Sequence, residues 1–204
     1  MGTRALAVAV LACVAAVAST GCSSSASGNA APRPVATSAS AAVPHHGAPA
    51  VDEPLMTTAA ETEPCSLATS NQVAQVGGPV ESIRVSLLGA GKFCTFVFAN
   101  GSGTVALGVD TIDKDGLSHL YALKAQNSGV TTFEPQSSTL GYPVVKFANG
   151  GERPYVCQLA VGVNNQTMLM IFSRLSTGNP YFSDPCGISA KVSGFAIQSL
   201  KSTR

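Results

Sequence analysis

Six cysteines are the residues of this chain whose type and spacing most clearly invite chemistry: Cys13, Cys22, Cys65, Cys94, Cys157 and Cys186. A thiol can be acylated, bind zinc, form a disulfide or act as a nucleophile, and its surroundings decide which. No two are spaced Cys-x-x-Cys, which argues against zinc and thioredoxin-like chemistry. Cys22 closes a distinctive stretch: Arg4, an apolar run over residues 5–18, then Ser19-Thr20-Gly21-Cys22. A basic start, about fourteen apolar residues and small residues before a cysteine form the layout of a bacterial export signal. In such a signal the cysteine receives a diacylglyceryl group and becomes the mature N-terminus. The run is too short to span a bilayer itself. Lipidation is therefore expected at Cys22, although Ser19 stands where Leu or Val is usual. Cys13, after Val10-Leu11-Ala12, has the better local box but would leave an apolar run of only about eight residues. An unlipidated secreted chain is the third option.

The other candidates are weaker. Residues 111–116 (Thr-Ile-Asp-Lys-Asp-Gly) partly fit a calcium loop, but Thr111 and Ala122 occupy positions where carboxylates are needed. A solvated turn is the expectation there, with Asp110 nearby. His119 lies beside Ser118 and near Asp113 and Asp115, yet adjacency does not make a triad. There is no Gly-x-Ser-x-Gly elbow, and the glycine clusters lack the phosphate-loop pattern. His45-His46 has no third ligand beside it. Asn100-Gly101-Ser102 and Asn165-Gln166-Thr167 match the glycosylation sequon but fall at turns, where Asn is favoured anyway. Met168, Met170 and Phe172, with Phe133 and Phe147, could line an apolar pocket, or simply fill a core. No catalytic, metal or cofactor site is assigned.

A net charge of +1 with 11% charged residues excludes a strongly basic nucleic-acid binder and a strongly acidic solvating chain. Three regions follow: a signal peptide at 1–21, an Ala/Ser/Pro-rich disordered tether at 22–62 carrying the lipid on Cys22, and one globular domain at 63–204. The tether has only isolated large apolar residues, Val35, Val43, Val51, Leu55 and Met56, too few to offset its ordering entropy.

Within the domain the elements must position whatever chemistry exists. Pro64 and Cys65 open a first helix with Leu67, Val73 and Val76 on one face, stopped by Gly77-Gly78. Asp184-Pro185-Cys186 opens the last, with Ile188, Val192, Phe195, Ala196 and Leu200 at helical spacing. Between them alternation predicts strands at 83–88, 93–99, 104–110, 130–134, 142–148, 155–163 and 167–174, and a short helix at 117–125. The strand at 167–174 is apolar on both faces, so it is expected at the centre of the sheet. The fold class is α+β, an antiparallel sheet packed against N- and C-terminal helices. Four cysteines in an exported domain predict two disulfides. Pairing strand with strand and helix start with helix start gives Cys94–Cys157 and Cys65–Cys186, one of three connectivities.

Glu63-Pro64-Cys65-Ser66-Leu67, Phe93-Cys94-Thr95-Phe96, Cys157 in a late strand and Asp184-Pro185-Cys186 before the final helix together resemble a domain-of-unknown-function family of actinobacterial lipoproteins, the 3558 family. Phe96 stands where members often carry Trp. The resemblance implies the signal, lipid cysteine, tether and domain plan, and no activity or catalytic residues. The expectation is a non-enzymatic module on the extracytoplasmic face of the cell membrane, held by its lipid and binding an envelope protein, lipid or glycan, with no nucleic-acid partner. The alternatives are an envelope hydrolase using scattered residues such as Asp113, Asp115 and His119, or a ligand-sensing subunit of a membrane complex.

Overall fold

A computed structural model of the chain describes residues 43–203. Cys13 and Cys22, with the signal and half of the tether, lie outside the described residues. Seven strands form one sheet: β1 Val80–Leu88, β2 Gly91–Phe98, β3 Gly103–Val109, β4 Thr132–Thr139, β5 Tyr142–Ala148, β6 Val156–Asn164 and β7 Thr167–Leu175. Their order is β1-β2-β3-β7-β6-β5-β4, and every neighbouring pair is antiparallel. The chain makes two meanders that meet at the centre. After β3 it crosses to the far edge, starts again at β4 and works back until β7 pairs with β3. The expected hairpins form where expected: Asn100 and Gly101 take φ of 56° and 66° between β2 and β3, and Asn164 pairs with Thr167 around the tip of β6–β7.

Helices α1 Thr58–Thr62, α2 Ser70–Gly77 and α4 Pro185–Ser202 cover one face, and α3 Leu117–Ala125 lies on the other. The first predicted helix is broken. Pro64–Leu67 is a 3-10 turn, and α2 starts afresh at a capping box in which Thr69 and Gln72 satisfy each other's backbone N–H. Under the helices Phe96, Phe98, Val105, Leu107, Leu159, Val161, Leu169 and Ile171 meet Ile188, Val192, Ala196 and Ile197, all fully or almost fully buried. The α+β class and the central place of β7 are as the alternation implied.

Two expectations are corrected. The tether does not run to residue 62. Ala48, Val51, Leu55 and Ala60 are buried, and this segment is strapped across the β6–β7 tip. Leu55 N–H donates to Val163 C=O at 2.8 Å, Val51 N–H to Asn165 Oδ1 at 2.9 Å, and Asn164 Nδ2 to Leu55 C=O at 3.2 Å. Single apolar anchors spaced along a polar segment have no period to detect, so composition alone misassigns them.

The disulfides are Cys65–Cys94 and Cys157–Cys186, not Cys65–Cys186 and Cys94–Cys157. The sheet order supplies the reason. β2 and β6 are separated by β3 and β7, and Cys94 lies in line with Leu159 rather than Cys157, so Cys94 and Cys157 stand more than ~14 Å apart at ~4.8 Å per strand, over twice the span of a disulfide. Each strand cysteine instead reaches up to the helix start above it, with Cα–Cα distances of 4.9 and 5.2 Å.

Candidate functional site

The open face of the sheet is only partly covered. Across it the register aligns two rows of side chains: Arg84, Thr95, Ala106, Phe172 and Gln158 in one, Ser86, Phe93, Gly108, Met170 and Ala160 in the next. α3 caps one end. Gly116, with φ of 53°, turns the chain into it, and Leu117 and Leu120 bury themselves against the sheet. Gly162 makes that approach possible, since a Cβ there would stand 2.9 Å from the Leu117 side chain. Tyr121 of α3 meets Phe133 edge-on at 4.9 Å.

Beyond α3 the sheet is bare, and a groove of about 610 Å³ runs over β1, β2, β3, β7 and β6. Its floor is Ala106, Met170, Phe172 and Phe147; Thr95, Thr104 and Gln158 offer hydrogen bonds; Arg84 and Arg174 supply two positive charges and no carboxylate answers them. Among the described residues neither guanidinium forms an ion pair. A second recess of about 190 Å³ continues toward α3, sharing Gly89, Ala90, Phe147, Asn149 and Met170 with the first.

The sulfur and aromatic stripe singled out from sequence therefore divides. Met168 is buried beneath α3 and lines only the smaller recess, Met170 reaches both recesses, and Phe172 belongs to the groove floor alone. Phe147 belongs to both recesses, and Phe133 is taken up by Tyr121. Arg84, Arg174 and Gln158 are not among the candidates that the sequence offers. Their signal was alternation with Phe172 along β7 and opposite it on neighbouring strands, which needs the strand order to be read.

The carboxylates and histidines gather at the α3 end. Asp110 is buried and accepts the N–H groups of Ile112 and Asp113 at 2.9 and 3.0 Å, closing its own turn. Thr111 Oγ1 donates to Ala90 C=O. The loop resembling a calcium site thus closes around Asp110 Oδ1, and among the described residues no three His, Cys, Asp or Glu side chains are grouped to hold a metal. Asp113 Oδ1 is 3.3 Å from His119 Nδ1, at the edge of the smaller recess. Burial pushes the Asp113 carboxyl above its ordinary value; His119 opposes the rise, and Asp110 and Asp115 add to it. Asp115 instead faces His45, 3.6 Å away, and His45 N–H donates to Ser118 Oγ at 2.9 Å. Ser118, Asp113, Asp115 and His119 do not converge on one point. Asn165 spends its side-chain oxygen on the strap.

A family model described as Protein of unknown function (DUF3558) matches residues 17–199. The chain belongs to this family. The match takes in all four paired cysteines and every strand, so the disulfide-braced sheet of this DUF3558 protein lies wholly within the family's span. No curated protein and no solved structure matches it.

Proposed function

We propose that this DUF3558 protein is an extracytoplasmic binding module, anchored to the membrane by a lipid on Cys22, whose bare sheet face holds an amphiphile with an anionic head. One observation carries the reading: the groove pairs an apolar floor of Ala106, Met170 and Phe172 with two guanidiniums, Arg84 and Arg174, that form no ion pair among the described residues. Its size, about 610 Å³, falls in the ~300–1,000 Å³ range of small-molecule sites. Methionine and phenylalanine accommodate flexible chains, and an arginine fork grips carboxylate or phosphate bidentately. The Ser19-Thr20-Gly21-Cys22 sequence supports the anchor, and paired cysteines suit an oxidising compartment.

A fluorescent fatty acid and a fluorescent phospholipid, titrated into the purified protein, test the reading. Saturable binding of either is expected. Phe172→Glu, which places a charge on the groove floor, should abolish it. The Arg84→Ala/Arg174→Ala pair should weaken it by tenfold or more and flatten its salt dependence. Equal binding by wild type and Phe172→Glu would overturn the proposal.

The Asp113–His119 pair favours a second reading, in which proton transfer at the smaller recess acts on an ester of a ligand that extends from the groove toward α3. His119→Ala separates the two: a binder keeps its ligand affinity, whereas turnover of an ester-containing ligand would be lost.

A further inference from the structure

The two edges of the sheet are built differently. β4 carries Pro135 between Glu134 and Gln136 and is polar along most of its length. A proline that cannot donate and exposed charge keep a further strand away. β1, at the other edge, carries no proline, and the one charge in its regular run, Arg84, lies on the groove face rather than among its apolar side chains. After an irregularity between Val80 and Ser82, residues 82–88 pair with β2 without interruption. Ile83, Val85 and Leu87 lie opposite Phe96, Cys94 and Lys92, which puts them on the helix-bearing face. The helices stop short of them, and they are 45%, 57% and 82% exposed. Among the described residues nothing pairs with the outer edge of β1.

We infer that β1 pairs antiparallel with β1 of a second copy, across a two-fold axis through Val85. A two-fold axis perpendicular to a sheet keeps each face on the same side, so the axis must pass through a residue. Centred on Val85, Ile83 opposes Leu87 of the second copy, Val85 opposes Val85, Arg84 opposes Ser86 and Ser82 opposes Leu88. The whole regular run is used, and the apolar triplet is its own complement. Centred on Arg84, two guanidiniums would face each other, a destabilising cross-strand pair. Centred on Ser86, Ile83 would face Gly89 in the turn and lose its apolar partner. The second copy thus supplies the chemistry this edge calls for: open backbone groups and three alternate apolar side chains, with no charge opposite a like charge.

The pairing joins two sheets into one and leaves both grooves open on the same side, because Arg84, Ser86 and Leu88 line the groove from the opposite face of β1. The inference does not depend on what the grooves bind. A seven-residue edge buries less than the ~1,200–2,000 Å² of a standard interface, so the dimer forms reversibly and is favoured where copies are concentrated.

Cysteine cross-linking tests the register in the full chain in its own membranes. The four cysteines of the described domain are already in disulfides. Val85→Cys should oxidise to a species of twice the chain mass. Arg84→Cys and Ser86→Cys alone should do so at least fivefold less, because each is offset from itself by two residues, about 8 Å away and beyond disulfide reach. Co-expressing Arg84→Cys with Ser86→Cys should restore the cross-link. Sedimentation of the unsubstituted protein should show concentration-dependent dimer that Val85→Lys removes, with groove ligand binding unchanged. Equal cross-linking at all three positions, a cross-link to a protein of another mass, or an unsubstituted protein monomeric at every concentration would overturn the inference.

Discussion

Asp113 Oδ1 lies 3.3 Å from His119 Nδ1. Burial nevertheless outweighs the imidazole and holds the carboxyl above its ordinary value. A raised folded-state value means that ionisation opposes folding at neutral pH. The penalty is relieved as pH falls through the folded-state value toward the unfolded one, where both states are protonated. Asp113→Asn should therefore leave the protein as stable or raise its Tm by ~1–2 °C at pH 7, with the gain vanishing near pH 3; a thermal melt series across pH checks this. A fall in Tm at pH 7 would mean that the His119 contact dominates. Arg84 and Arg174 mark a limit of legibility. Each is an unremarkable strand arginine in sequence, and only the order β1-β2-β3-β7 sets them around Phe172 on one floor.

Elements were legible where period or turn chemistry was strong. Six of the seven strands and the final helix lie where alternation, Asn-Gly turns and an Asp-Pro start place them, whereas β4 shares only residues 132–134 with the strand expected at 130–134 and runs on to Thr139, because the polar residues after Pro135 show no alternation. What failed was pairing across the fold, because the disulfide partners depend on a strand order that local pattern does not encode. Both bridges close loops with a sequence separation of 29, worth roughly 3–4 kcal/mol each in the chain-entropy model. Non-reducing peptide mapping should return Cys65–Cys94 and Cys157–Cys186 peptides, and Cys65→Ser/Cys94→Ser should lose stability by that amount in urea unfolding. A Cys94–Cys157 peptide would contradict the observed order. The strap at 43–57 failed for another reason: its anchors are single residues in a polar background. Leu55 is 2% exposed, so Leu55→Ala should cost ~2–5 kcal/mol, measurable as a lower urea midpoint. A disordered tether would show no change.

At the scale of the molecule, two meanders meet at β3–β7, helices cover one face up to the β1 edge, and α3 closes one end of the other. The part no helix covers is where a largely buried apolar floor and two exposed arginines line one groove. On the proposed anchor, about twenty residues separate Cys22 from the first described residue, a reach of at most ~70 Å when fully extended. Cys22→Ser should release the processed protein from membranes while leaving its melting temperature unchanged, as membrane fractionation would show. The groove itself is tested most directly by native mass spectrometry of protein extracted gently from its membranes. A bound acidic amphiphile is predicted on the wild-type chain and its absence on the folded Phe172→Glu variant. A wild-type chain that carries no ligand, or a variant that carries the same one, would contradict the account.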